Sequence, residues 1–180
     1  MSSRLKIYES ALLTDLAMCI NHYRMHTPGL NAVVCVEVQL SSNQSVPVDI
    51  AAQVNYGPHK QCTVPDGGAF FIGAPNLIVD LYRDEEKYKQ RLVLFAEAGV
   101  QEYACVTNGE TLMTRWNRLV DGTYQPIDMD ASDTLMSEAL PGLWIPKPAL
   151  RRRDWWSILA AIDQGVTRKP HHEFMQTIWQ

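Results

Sequence analysis

Two aspartates stand where acids are costly: Asp49, within Pro47-Val48-Asp49-Ile50, and Asp80, within Leu77-Ile78-Val79-Asp80-Leu81. Each is embedded in an otherwise apolar run of strand character. A carboxylate taken out of water needs a cation, a donor or a metal as partner. Two carboxylates on adjacent strands can hold Mg2+ or Mn2+, and such an ion orients a water and neutralises charge developing on a phosphodiester. The competing reading puts each acid at a strand end, exposed or bonded to backbone, and strand pattern alone leaves both open.

A second group follows on a helix. Lys87, Arg91 and Phe95 are four residues apart and share one helical face. A cation there can point back toward Asp80 and orient an attacking water or stabilise a phosphoryl transition state, although an arginine cannot act as a base. A guanidinium beside Asp80 would also favour the ionised carboxyl and hold its pKa below the ordinary value. The alternative is a solvated basic face beside Glu85 and Glu86. Glu37 is a candidate third acid or a solvent-facing strand residue. His59 and the pair His171-His172 read as loop and tail residues rather than ligands. Arg151-Arg152-Arg153 beside Trp155-Trp156 could bind phosphate and stack a base. The same stretch also fits a helix start whose apolar underside docks on a sheet or on a second subunit of a homodimer.

The elements that must position these residues are read from hydrophobic period. Leu12, Leu13, Leu16, Ile20 and Tyr23 give a helix over 7–25, stopped by Thr27-Pro28-Gly29. Residues 32–40 and 46–54 switch to extended character and flank a polar turn. Turn signals fill 55–73, which reads as a long loop. The run 76–81 is almost continuously apolar, as a strand covered on both faces should be. Asp84-Glu85-Glu86 at its start and Gly99 at its end bracket a helix over 84–98. Strands follow at 102–106 and 112–119, with Asn108-Gly109 and Asp121-Gly122 as type I′ hairpin signals. A last helix runs from 148 to about 164. The order predicts a mixed central β-sheet flanked by helices.

Composition bounds the function class. A chain of 180 residues with 46% hydrophobic and 20% charged residues is long enough for one core, so a single domain over 1–180 is expected, with 148–180 as a C-terminal helical extension. No uncharged apolar run approaches the ~20 residues of a membrane helix, and a cytoplasmic location with no membrane association is expected. Cys19, Cys35, Cys62 and Cys105 are dispersed and show no C-x-x-C pairing, so reduced, mostly buried thiols are expected. A net charge of -4 offers no global attraction to nucleic acid. Any DNA contact would need a local basic patch.

The segment Gly73-Ala74-Pro75-Asn76-Leu77-Ile78-Val79-Asp80-Leu81, followed by Arg91-Leu92-Val93-Leu94-Phe95-Ala96-Glu97-Ala98-Gly99-Val100-Gln101-Glu102-Tyr103, resembles the Uma-type restriction-endonuclease-like family of the PD-(D/E)xK superfamily. The resemblance spans about residues 30–147 and includes Val46-Pro47-Val48-Asp49-Ile50 and Leu140-Pro141-Gly142-Leu143. It implies an α/β restriction-endonuclease-like fold and divalent-metal-dependent cleavage of DNA. The family's two metal-binding acids fall on Asp49 and Asp80, with Mg2+ or Mn2+ as the implied ion. Its helix-borne lysine falls on Arg91, and Lys87 one turn earlier could stand in for it. The chain departs from the pattern at Asn76, where Asp is usual, at Lys87, where Asp is usual, and at Phe95, where Tyr is usual. The family's Ser-rich link is here Tyr82-Arg83-Asp84-Glu85. These departures leave a rival implication, a catalytically inactive nuclease-fold homologue acting as a binding or assembly module.

Overall fold

The computed structural model describes residues 6–107, 112–127 and 132–179. Helix α1 (Ile7–Met25) leads into the long antiparallel hairpin of β1 (Leu30–Ser41) and β2 (Gln44–Val54). Two short strands, β3 (Cys62–Thr63) and β4 (Phe70–Gly73), precede the central β5 (Leu77–Leu81). Helix α2 (Glu85–Ala98) connects β5 to its parallel neighbour β6 (Glu102–Thr107). Strands β7 (Met113–Val120) and β8 (Thr123–Pro126) extend that edge, and β9 (Thr134–Met136) pairs with β10 (Trp144–Pro146) in a separate ribbon. The chain ends in α3 (Lys147–Arg152), α4 (Trp155–Val166) and α5 (Lys169–Ile178).

The eight-stranded sheet has the order β3-β4-β1-β2-β5-β6-β7-β8 and is mixed, with β1/β4 and β5/β6 parallel. It carries apolar side chains on both faces. One face packs on α1, α3, α4 and α5 through Leu12, Tyr23, Leu77, Val79, Ile158 and Ile162. The other packs on α2 through Ile78, Tyr88, Phe95 and Tyr103. This is the expected mixed α/β architecture, a large central sheet flanked by helices. Alternation along β5 sends Leu77, Val79 and Leu81 to the first face and Ile78 to the second. Asp80, in phase with Ile78, therefore turns toward α2.

Local chemistry explains the boundaries. Asp84 caps α2 by accepting from the Lys87 N–H at 2.7 Å, and Gly99 ends it in the left-handed conformation at φ 86°. Asp121 and Gly122 both have positive φ, 49° and 77°, as the type I′ turn between β7 and β8 requires. The Asn108-Gly109 signal lies outside the described residues. The segment expected as a loop over 55–73 contains β3 and β4, because β4 pairs in parallel with β1, a contact that no local pattern announces. The expected helix over 148–164 is two helices: Arg153 adopts φ 57°, and Asp154 caps α4 by accepting from the Ser157 N–H. Among the described residues, no helix is long and apolar enough to cross a membrane. Cys19, Cys62 and Cys105 are buried free thiols, and Cys35 is exposed.

Candidate active site

The ladder of β2 fails on both sides at one residue. Toward β1 it runs Val34↔Ile50 and then Val36↔Val48, passing over Cys35 and Asp49 without loss of register, and Cys35 has φ 51°. Toward β5 it runs from Ala52↔Leu77 to Ile50↔Val79 and stops before Asp49 and Asp80. Face alternation also slips here, since Val48 and Ala51 both join the α2-side core while Ile50 joins the other. Strands β2 and β5 splay apart, and the two aspartates satisfy the backbone groups that the splay leaves open. Asp80 Oδ1 accepts from the Asp49 N–H at 3.0 Å, and Asp49 Oδ2 accepts from the Leu81 N–H at 2.7 Å. Each carboxylate thus bonds the backbone of the other acid's strand segment, which brings the two predicted acids to one place.

Two arginines close the group. Arg91 Nη1 lies 2.9 Å from Asp80 Oδ2, an ion pair whose angle is poor for a hydrogen bond, and Arg91 Nη2 donates to the Pro47 carbonyl at 2.7 Å. Its guanidinium stands over Phe95, 5.4 Å from the ring centroid. Arg83 Nη2 reaches Asp49 at 3.2 and 3.3 Å, and Arg83 Nη1 lies 3.8 Å from Glu9 on α1. Tyr103 donates its hydroxyl to Asp80 Oδ2 at 3.3 Å. Register explains this last contact: Tyr103 opposes Ile78 and Cys105 opposes Asp80, so all four share the α2 face.

Burial sets the electrostatics. The Asp80 side chain is 6% exposed, and burial pushes its carboxyl above the ordinary value even though Arg91 and the Asp49 N–H pull the other way. The sequence expectation of a depressed Asp80 is therefore corrected: desolvation outweighs the guanidinium. Burial and the Asp80 charge also push the Cys105 thiol up to about 11, so it is no nucleophile.

Other predicted residues fall elsewhere. Lys87 is exposed in the first turn of α2, and Arg91 is buried, so their shared face divides at the protein surface. Glu37 accepts from the Ser45 hydroxyl across the hairpin and makes no contact with the acid pair among the described bonds. His59 bonds Thr177, and His171 lies buried between the Pro141 and His26 carbonyls. Arg83 and Tyr103 were not singled out by sequence reasoning. Tyr103 was legible from strand alternation, whereas Arg83 sits in the link between strand and helix, where no period applies.

The fold is shared with a candidate nuclease. That protein, belonging to DUF820 from Anabaena variabilis, matches with a TM-score of 0.54 at 15% identity over 87% of this chain and 84% of that chain. No family model and no curated protein matches the chain.

Hard carboxylate oxygens from two strands suit Mg2+ or Mn2+. The Asp49 side chain is 18% exposed, and its contacts with Arg83 are longer than the roughly 2.7–2.9 Å of a strong charge-assisted bond. Asp49 is thus the more accessible of the two acids, and the donor chemistry of the pair fits such an ion.

Proposed function

We propose that the chain is a divalent-metal-dependent nuclease acting on DNA phosphodiester bonds, with Asp49 and Asp80 as the metal ligands. The supporting observation is the splay of β2 and β5, where two carboxylates from neighbouring strands converge and α2 supplies Arg91. Mg2+ or Mn2+ held by Asp49 and Asp80 would supply Lewis-acid charge for phosphodiester hydrolysis. The chain's own residues do the rest. Arg91, fixed by Pro47 and backed by Phe95, positions Asp80 and compensates its buried charge. Arg83, released from Asp49, carries a planar donor fork to a phosphate oxygen beside the acids. Tyr103 holds Asp80 Oδ2 from below.

The test is nicking of supercoiled plasmid with Mg2+ or Mn2+ by the wild type, Asp49→Asn and Asp80→Asn. Wild-type nicking should fall by at least about a hundredfold in each variant, the scale of losing one electrostatic stabiliser of a transition state. A second reading, a silent binding or assembly module, is favoured by one observation: each acid already has an arginine partner, which leaves the group near neutral. Absence of cation-dependent cleavage, with the wild type folded, would put that reading ahead.

A further inference from the structure

The C-terminal end of α1 carries a second constellation that the acid pair does not use. His22 and His26 are one helical turn apart and project from the same face. Asp163 arrives from α4, which packs against α1. Asp163 Oδ1 lies 2.7 Å from His22 Nε2 and 3.4 Å from His26 Nε2, and one ligand atom from each residue lies within 4.8 Å of the others. The two imidazole rings meet edge to face at 5.2 Å, and the Nε2 atoms of both face Asp163 Oδ1.

We propose that His22, His26 and Asp163 form a binding site for a divalent transition-metal ion of the zinc class, which ties α1 to α4. The chemistry of the donors carries the choice of ion. Two imidazoles and one carboxylate suit Zn2+ and Co2+, whereas Mg2+ and Ca2+ take oxygen sets. Bonds of about 2.0–2.1 Å put tetrahedral ligand atoms roughly 3.3 Å apart, a spacing that His26 and Asp163 already have at 3.4 Å and that His22 and Asp163, at 2.7 Å, reach by a small opening. All three side chains are partly exposed, which leaves a fourth position for water. The backbone supports the site twice. His26 caps α1, where the helix dipole favours a cation, and its carbonyl is bonded by the buried His171. Thirteen residues of helix separate Glu9, near the acid pair, from His22, or about 20 Å. The two sites are independent.

The observation that distinguishes this site from a simple ion pair is its stoichiometry and geometry with metal alone. Untagged wild-type protein should bind one Zn2+ by calorimetry at neutral pH and melt at a higher temperature. With Co2+ it should show the intense visible bands of a tetrahedral ion. His22→Gln, His26→Gln and Asp163→Asn should each weaken binding by more than about tenfold, since loss of a direct ligand should cost at least as much as the roughly 10–100-fold seen for outer-shell partners. Metal and protons compete for the ring nitrogens, so affinity should fall on acidification. No Zn2+ binding by folded wild type overturns the proposal, and so does binding that survives all three substitutions.

Discussion

Asp80 and Arg91 are each costly to bury alone, and the pair is balanced on that fact. Removing one partner from a buried pair costs roughly 3–5 kcal/mol because the other is left uncompensated. Asp80→Ala should therefore destabilise the fold by about that much in urea denaturation, and Arg91→Gln should raise the Asp80 pKa further in a carboxyl NMR titration. A fall in that pKa would remove the pairing from the account. The pH dependence has a definite sign. Because the folded pKa of Asp80 is raised above its unfolded value, the native state binds the proton more tightly, and stability from this group falls as pH rises through the folded pKa. The wild type should gain on Asp80→Asn as pH drops through that window, and the gain should level off below about 3.9, the unfolded value. At this scale the sequence drew attention to Asp49 and Asp80, since charge inside an apolar run is a visible anomaly, and helical spacing put Arg91 on a face able to reach Asp80; the structure brings the three side chains together. The sequence misjudged the sign of the Asp80 shift because burial depth is a property of the packed sheet and helix.

Elements with a strong local signal were legible, and short ones that exist only through distant pairing were not. The period over 7–25 matches α1, and Asp84 and Gly99 bracket α2 as their capping chemistry requires. By contrast, β4 exists through its parallel contact with β1, and the break at Arg153 depends on a left-handed residue that propensity disfavours. A tight crossing at α4 gives the element-scale prediction. Gly165 lies in the helix, where alanine is ordinarily better by about 1 kcal/mol. A Cβ there would stand 2.2 Å from the Gly142 carbonyl oxygen, a backbone atom that cannot turn aside. Overpacking costs typically about 1–3 kcal/mol, so Gly165→Ala should lower the melting temperature despite the gain in helix propensity. Because Asp163 is two residues away, the same variant should weaken Zn2+ binding. Unchanged melting would mean that the loop at Gly142 yields.

For the whole molecule, the question is whether residues 148–180 are an appendage or part of the core. Composition and period suggest a helical extension, since nothing in them reveals which sheet face lacks a cover. The packing is more informative. Ile158, Ile162 and Ile178 are fully buried, Leu150 nearly so, and all four belong to the cluster that covers Leu77 and Val79 behind the acid-bearing strand. Burying an aliphatic side chain of this size contributes about 1.5–3 kcal/mol. Four of them therefore approach the roughly 5–15 kcal/mol of net stability available to a whole domain. His171 adds a polar tie from α5, lying between the Pro141 and His26 carbonyls. Deleting residues 147–180 would expose that sheet face to water and strand these groups, so the remaining chain should not fold cooperatively. The expected outcome is loss of the sharp thermal transition and of near-ultraviolet circular dichroism in the truncated chain. A milder cut after 168, which removes α5 but keeps α4, should leave a cooperative transition at lower temperature, because Phe174 and Ile178 are lost while Ile158 and Ile162 stay. A truncated 1–146 chain that melts cooperatively would show that the sheet and α2 are self-sufficient and that the C-terminal helices are an appendage.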